Sequence, residues 1–160
     1  NLSAARSALA NAEEALGDGD AAALRIQVEE LRGLIALKAK ETAAALDHLQ
    51  TAAALEAERP LDYGPTFPPK PAHELYGEAL LSLNRPAEAL TQFNKTLERY
   101  PDRALSLWGT ARAAAEAGKP EVAEKARSAL AAQWKNADAP ARQRLHALVG
   151  NPDARPPQSK

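Results

Sequence analysis

His73-Glu74-Leu75-Tyr76-Gly77-Glu78-Ala79-Leu80, then Arg85-Pro86-Ala87-Glu88-Ala89-Leu90-Thr91-Gln92-Phe93, then Tyr100-Pro101, is the stretch on which the fold turns. Two short helical patterns flank a turn at Asn84–Pro86. Proline suits the first turn of the second helix, because its missing N–H would lack an intrahelical partner there anyway. The pattern places Gly77 and Ala89 on facing sides of the two helices. With so little bulk at that crossing the backbones approach closely, and larger side chains would overpack it at a cost of about 1–3 kcal/mol.

The same pattern recurs on either side. Adding 34 places Gly77 on Ala111, Asn84 on Gly118, Pro86 on Pro120 and Ala89 on Ala123. Subtracting 44 places Gly77 on Gly33, Ala89 on Ala45 and Phe93 on Leu49. The extra ten residues fall within Arg59 to Pro71, where five of thirteen residues are proline. Proline forbids helix and favours an extended path. Tyr63 and Phe67 in this insertion are two of only seven aromatics, which a plain spacer would not need, so the loop is expected to fold back over the helices. The match weakens in the third copy, where Arg127 replaces Phe93 and Lys135 replaces Pro101.

Outside the repeats, Leu2, Ala5, Leu9, Ala12 and Leu16 mark one amphipathic helix, closed by a turn at Gly17-Asp18-Gly19-Asp20. That turn has too few carboxylates, too closely spaced, for a calcium loop. Asp138 is placed to cap a last helix carrying Ala141, Leu145, Leu148 and Val149, and the tail from 151 to 160 lacks core-forming residues.

A spacing of His73-x2-Tyr76-Gly77-x2-Leu80, Ala89-x3-Phe93 and Pro101 resembles the 34-residue tetratricopeptide repeat, with His73 in the usual tryptophan slot. The resemblance covers about Ile26 to Lys135 apart from the insertion. Tyr63-Gly64-Pro65 and Glu74-Leu75-Tyr76-Gly77-Glu78 further look like a subgroup of bacterial, often exported, repeat proteins. What this implies is an all-α, right-handed superhelical solenoid of three helix pairs, with an N-terminal helix and a C-terminal capping helix. Repeats would occupy about 26–57, 70–103 and 104–137 of a single domain spanning 1–150. Members of the family mostly hold peptides or protein segments against their first helices. In that register the groove positions are Gln27, Glu30, Leu34, Leu37 and Lys38, then Pro71, Glu74, Glu78, Leu81 and Ser82, then Leu105, Trp108, Arg112, Ala115 and Glu116. The family's carboxylate clamp is missing: its places read Glu30, Leu34, Leu75, Leu105 and Gly109. The expected ligand is a peptide or protein segment with a basic element for the glutamates and an apolar anchor near Trp108 and Arg112. Trp108 has a second reading as core filler between helices.

Composition narrows the alternatives. Apolar residues make up 45% but aromatics only 4%, a balance suited to close-packed helices and poor for a β-sandwich. A net charge of −1 without a basic stripe gives no sign of nucleic-acid binding. No apolar run is long enough to span a membrane. Absence of cysteine excludes disulfides and thiolate metal sites. The sequence starts at Asn1 and has no methionine, as expected of a processed piece, which with the resemblance leans toward an exported protein. His73 with Glu74 and Glu78 is the one grouping reminiscent of a metal or acid–base site. However, His73 and Glu78 are five apart on a helix, a poorly aligned spacing, and His73 occupies a packing position. No phosphate loop, HExxH or nucleophile elbow occurs, so neither enzyme nor cofactor is expected. The alternatives to a peptide-binding scaffold are a structural module that forms homo-oligomers through its convex face or open end and, ranked below it, a metal- or small-molecule-binding site around His73, Glu74 and Tyr63 under the proline-rich loop.

Overall fold

The structure, a computed structural model, describes residues 2–16, 22–60, 70–136, 138–141 and 143. The turn at 17–20, Tyr63 and Phe67, the apolar residues from Leu145 on and the tail lie outside them. Among the described residues there are seven helices and no strand: α1 (Leu2–Leu16), α2 (Ala22–Lys38), α3 (Thr42–Ala57), α4 (Ala72–Ser82), α5 (Pro86–Arg99), α6 (Ala104–Glu116) and α7 (Pro120–Gln133). The fold is all-α, and the helices pack against their neighbours. Two compact units divide the chain, Asn1–Ala79 and Leu80–Lys160, with the boundary inside α4.

In the first unit α2 packs against α3 and α1 against α2. The α2–α3 crossing is tight because Gly33 has no side chain. A Cβ there would stand 2.7 Å from Leu49 Cγ and 3.2 Å from the Ala45 carbonyl oxygen. One apolar cluster joins Ile26, Ala52, Ala53 and Ala72, and a second joins Leu49, Leu75 and Ala79. Tyr76 packs against both. In contrast α1 has no buried residue, so its apolar stripe is only half covered.

In the second unit α6 packs against both α5 and α7. Fully buried Phe93 on α5 fills the space that Gly109 leaves on α6, and a Cβ on Gly109 would collide with the phenyl ring. Leu107, Trp108 and Leu130 form the cluster between α6 and α7, with Leu97 and Trp134 against it.

Three turns share one geometry. Lys40, Asn84 and Gly118 all take positive φ, at 66°, 58° and 71°. Each turn is closed by the same two backbone bonds. The N–H groups of Lys40, Asn84 and Gly118 donate to the carbonyls of Leu37, Leu81 and Ala115, and those of Glu41, Arg85 and Lys119 to Ala36, Leu80 and Ala114. This is the Schellman closure, in which a left-handed residue turns the chain and satisfies carbonyls at the helix end. The next helix follows at once, and Ala45, Ala89 and Ala123 in its first turn are all fully buried. The three turns stand 44 and 34 residues apart, the offsets read from the sequence.

Beyond α7, Asp138 Oδ1 accepts the Ala141 N–H at 2.8 Å, the side-chain cap expected at the start of a further helical turn.

Candidate functional site

The densest polar grouping lies in the first unit, around the head of α4. Proline ends the insertion at Pro71, and α4 begins one residue later, so its first N–H groups need acceptors from outside the helix. Glu56, near the end of α3, supplies one: its Oε2 accepts the Ala72 N–H at 2.5 Å, and Glu56 is only 2% exposed. A carboxylate at a helix N-terminus also meets the positive end of the helix dipole. Lys70, two residues before α4, reaches back to Glu78 and donates to both its oxygens, at 2.8 and 2.7 Å. Glu74 lies between them in sequence and is completely buried.

Glu30 on α2 belongs to the same grouping. Its Oε1 is buried and accepts no hydrogen bond among the described residues. Burial is the main cause that pushes its pKa up to about 7, the nearby Glu56 carboxyl adds to the rise, and Lys70 opposes it.

A second polar chain ties α1, α2 and α3. Arg32 donates to Glu13 at 3.0 and 2.7 Å and to Glu29 at 2.6 Å, while the other Glu29 oxygen lies 2.6 Å from His48 Nδ1. The hydrogen bond that Arg32 donates to Glu13 leads the interactions that hold the Arg32 pKa above its usual value. The pairs are half exposed and join long side chains, so each contributes at most about 1 kcal/mol.

In the second unit the guanidinium of Arg112 lies 5.9 Å from the centroid of the Trp108 ring and also pairs with Glu116 at 2.7 Å. Trp108 itself is 7% exposed and stands in the α6–α7 cluster, so its ring fills core and Arg112 covers what remains.

The nominated groove residues therefore meet different fates. Leu34 at 41% and Leu105 at 46% are large apolar side chains left in solvent, and Lys38 is exposed. Glu30 and Glu78 are half-buried and share Lys70 as their basic neighbour. Glu74, Leu81 and Trp108 are buried. Tyr63 and Phe67 lie outside the described residues. Glu56 and Lys70, which organise the site, are absent from the sequence-derived set. The visible hint was Pro71, a helix start without a Ser, Thr, Asp or Asn cap, which obliges some distant acceptor to take over. Among the described residues no group of three or more His, Asp or Glu is placed to hold a metal ion. Among the described residues no helix is long and apolar enough to cross a membrane.

No protein-family model, curated protein or solved structure matches the chain.

Proposed function

We propose that the chain is a tetratricopeptide-like scaffold that binds a peptide or protein segment along the first helices of its repeats. The observation that supports this most strongly is the recurrence of one turn geometry at Lys40, Asn84 and Gly118, in phase with buried alanines at 45, 89 and 123. A chain that repeats a helix–turn–helix unit presents equivalent faces several times over, which suits extended ligands better than small ones. Leu34 and Leu105, exposed at nominated groove positions, supply apolar contact, while Glu78 and Arg112 supply charge.

The test is selection of peptides from a random library on the intact chain, followed by titration calorimetry of a selected peptide. Leu34→Asp, Glu78→Lys and Arg112→Glu change side chains at the nominated groove positions. At least one should weaken binding tenfold or more without moving the melting temperature. Retained affinity in all three, or a selected peptide displaced by none of them, refutes the reading. Light scattering across concentrations separates it from self-assembly.

A further inference from the structure

We propose that the first unit holds α4 through a proton-linked latch, in which Glu30 must stay protonated for Glu56 to keep its grip on the Ala72 N–H. The inference is independent of the binding reading. The Glu30 and Glu56 carboxyls act on each other, and while Glu56 has a backbone donor, Glu30 Oε1 has none among the described residues. Glu56 takes the Ala72 N–H at 2.5 Å while almost wholly buried, so its oxygen is committed. Glu30 offers a buried Oε1 with no donor among the described residues. Ionisation would put part of the charge on an oxygen that is neither hydrated nor hydrogen-bonded, whereas a neutral carboxylic acid tolerates the position far better. The Lys70 ammonium, which opposes the rise, is shared with Glu78 and donates to both its oxygens, and the Arg59 guanidinium follows α3 in the same unit.

On α2 itself are Glu29 and Arg32; α1 brings Glu13, which Arg32 holds. His48 and Glu56 come from α3, His48 being paired with Glu29. Lys70 precedes α4, whose first two turns carry His73, Glu74 and Glu78. Of all these, Glu56 and Lys70 are the ones that act on Glu30, the first raising and the second lowering its proton affinity.

The sign follows. In the unfolded chain Glu30 ionises at an ordinary 4.5, and in the fold near 7. The folded state therefore binds more protons between these values. Its advantage is complete below the lower one and is lost as pH rises through the higher one. Above pH 7 a negative charge on Glu30 acts on Glu56 and loosens the head of α4.

Two measurements on the intact chain test this. The first follows the melting temperature of the native chain and of Glu30→Gln from pH 5.5 to 8.5, with His48→Gln as a control for imidazole titration. The native chain and the control should lose stability steadily across pH 6 to 8, and Glu30→Gln should be nearly flat. The second reads the Glu30 carboxyl by carbon NMR in the native chain, with amide-exchange protection at Ala72 over the same range. A midpoint near 7 with protection falling in step supports the latch. A carboxyl titrating in the ordinary range, or protection unaffected by pH, overturns it even where Glu30→Gln fails to fold.

Discussion

The joint between Leu49 and Leu75 in the first unit and that between Phe93 and Gly109 in the second occupy the same register, since 49 and 93 differ by 44 and 75 and 109 by 34. Leu49 and Leu75 share an apolar cluster, two side chains of equal size. In the second unit the volume is split unequally: Phe93 is fully buried, and Gly109 gives up its side chain to make room. Interiors packed to crystalline density conserve volume at a site while leaving open which chain segment supplies it. Two residues that look unrelated in sequence thus solve one packing problem together.

The comparison is broken most severely by Gly109→Leu. That substitution gives the second unit the small-to-large half of the first unit's solution while Phe93 still fills the space. Overpacking against the phenyl ring should cost about 3 kcal/mol or more, read from urea unfolding. Replacing Phe93 by Leu at the same time restores the leucine pair. The double variant should recover part of that loss, with a coupling of about 1–3 kcal/mol in the double-mutant cycle. Simple additivity would show that the two joints are not equivalent.

Truncating the large partner comes next. Phe93→Ala should cost about 3–5 kcal/mol and Leu49→Ala about 2–5 kcal/mol, the spread reflecting how far each site collapses. At the neighbouring crossing, Gly33→Ala pushes a methyl to 2.7 Å from Leu49 Cγ and 3.2 Å from the Ala45 carbonyl. Because backbone stands behind the side chain, the loss should be about 1–3 kcal/mol despite the better helix propensity of alanine. Ala111 occupies the corresponding place in the third copy with its methyl buried, so Ala111→Gly should cost only about 1 kcal/mol.

How much of this the sequence disclosed depends on the range of the interaction. Offsets of 34 and 44 were legible because small residues and turn residues act locally: Asn84 and Gly118 announce a left-handed turn wherever they stand. Lys40 does not, since a lysine has no local preference for that conformation. Trp108 shows a second kind of limit. Helical periodicity fixes the face a residue lies on but not whether that face meets the next helix or a ligand, and Arg112 four residues on shares its stripe. The Glu56–Ala72 bond was not legible at all. It joins residues sixteen apart across a proline-rich insertion, and the insertion itself gives no local rule for where Lys70 and Pro71 come to rest. The proton affinity of Glu30 was equally hidden, because it comes from burial beside another carboxyl rather than from any neighbour in sequence.

The three turns offer the finest version of the same comparison, since one backbone conformation is met by lysine, asparagine and glycine in turn. A left-handed conformation costs a residue with a Cβ about 1–2 kcal/mol, less for asparagine, and glycine nothing. Glycine gives back part of that advantage through the greater freedom of its unfolded chain. Lys40→Gly should therefore stabilise the first unit by about 0.5–1 kcal/mol, Asn84→Gly should change little, and Gly118→Lys should destabilise the second unit by about 1 kcal/mol. Among the described residues nothing lies within 4 Å of a Cβ at Gly118, so that loss reports the backbone. Denaturant midpoints for the three variants, taken at constant slope, check the order. A loss of stability in Lys40→Gly would mean that the lysine side chain contributes more to its turn than its backbone conformation costs.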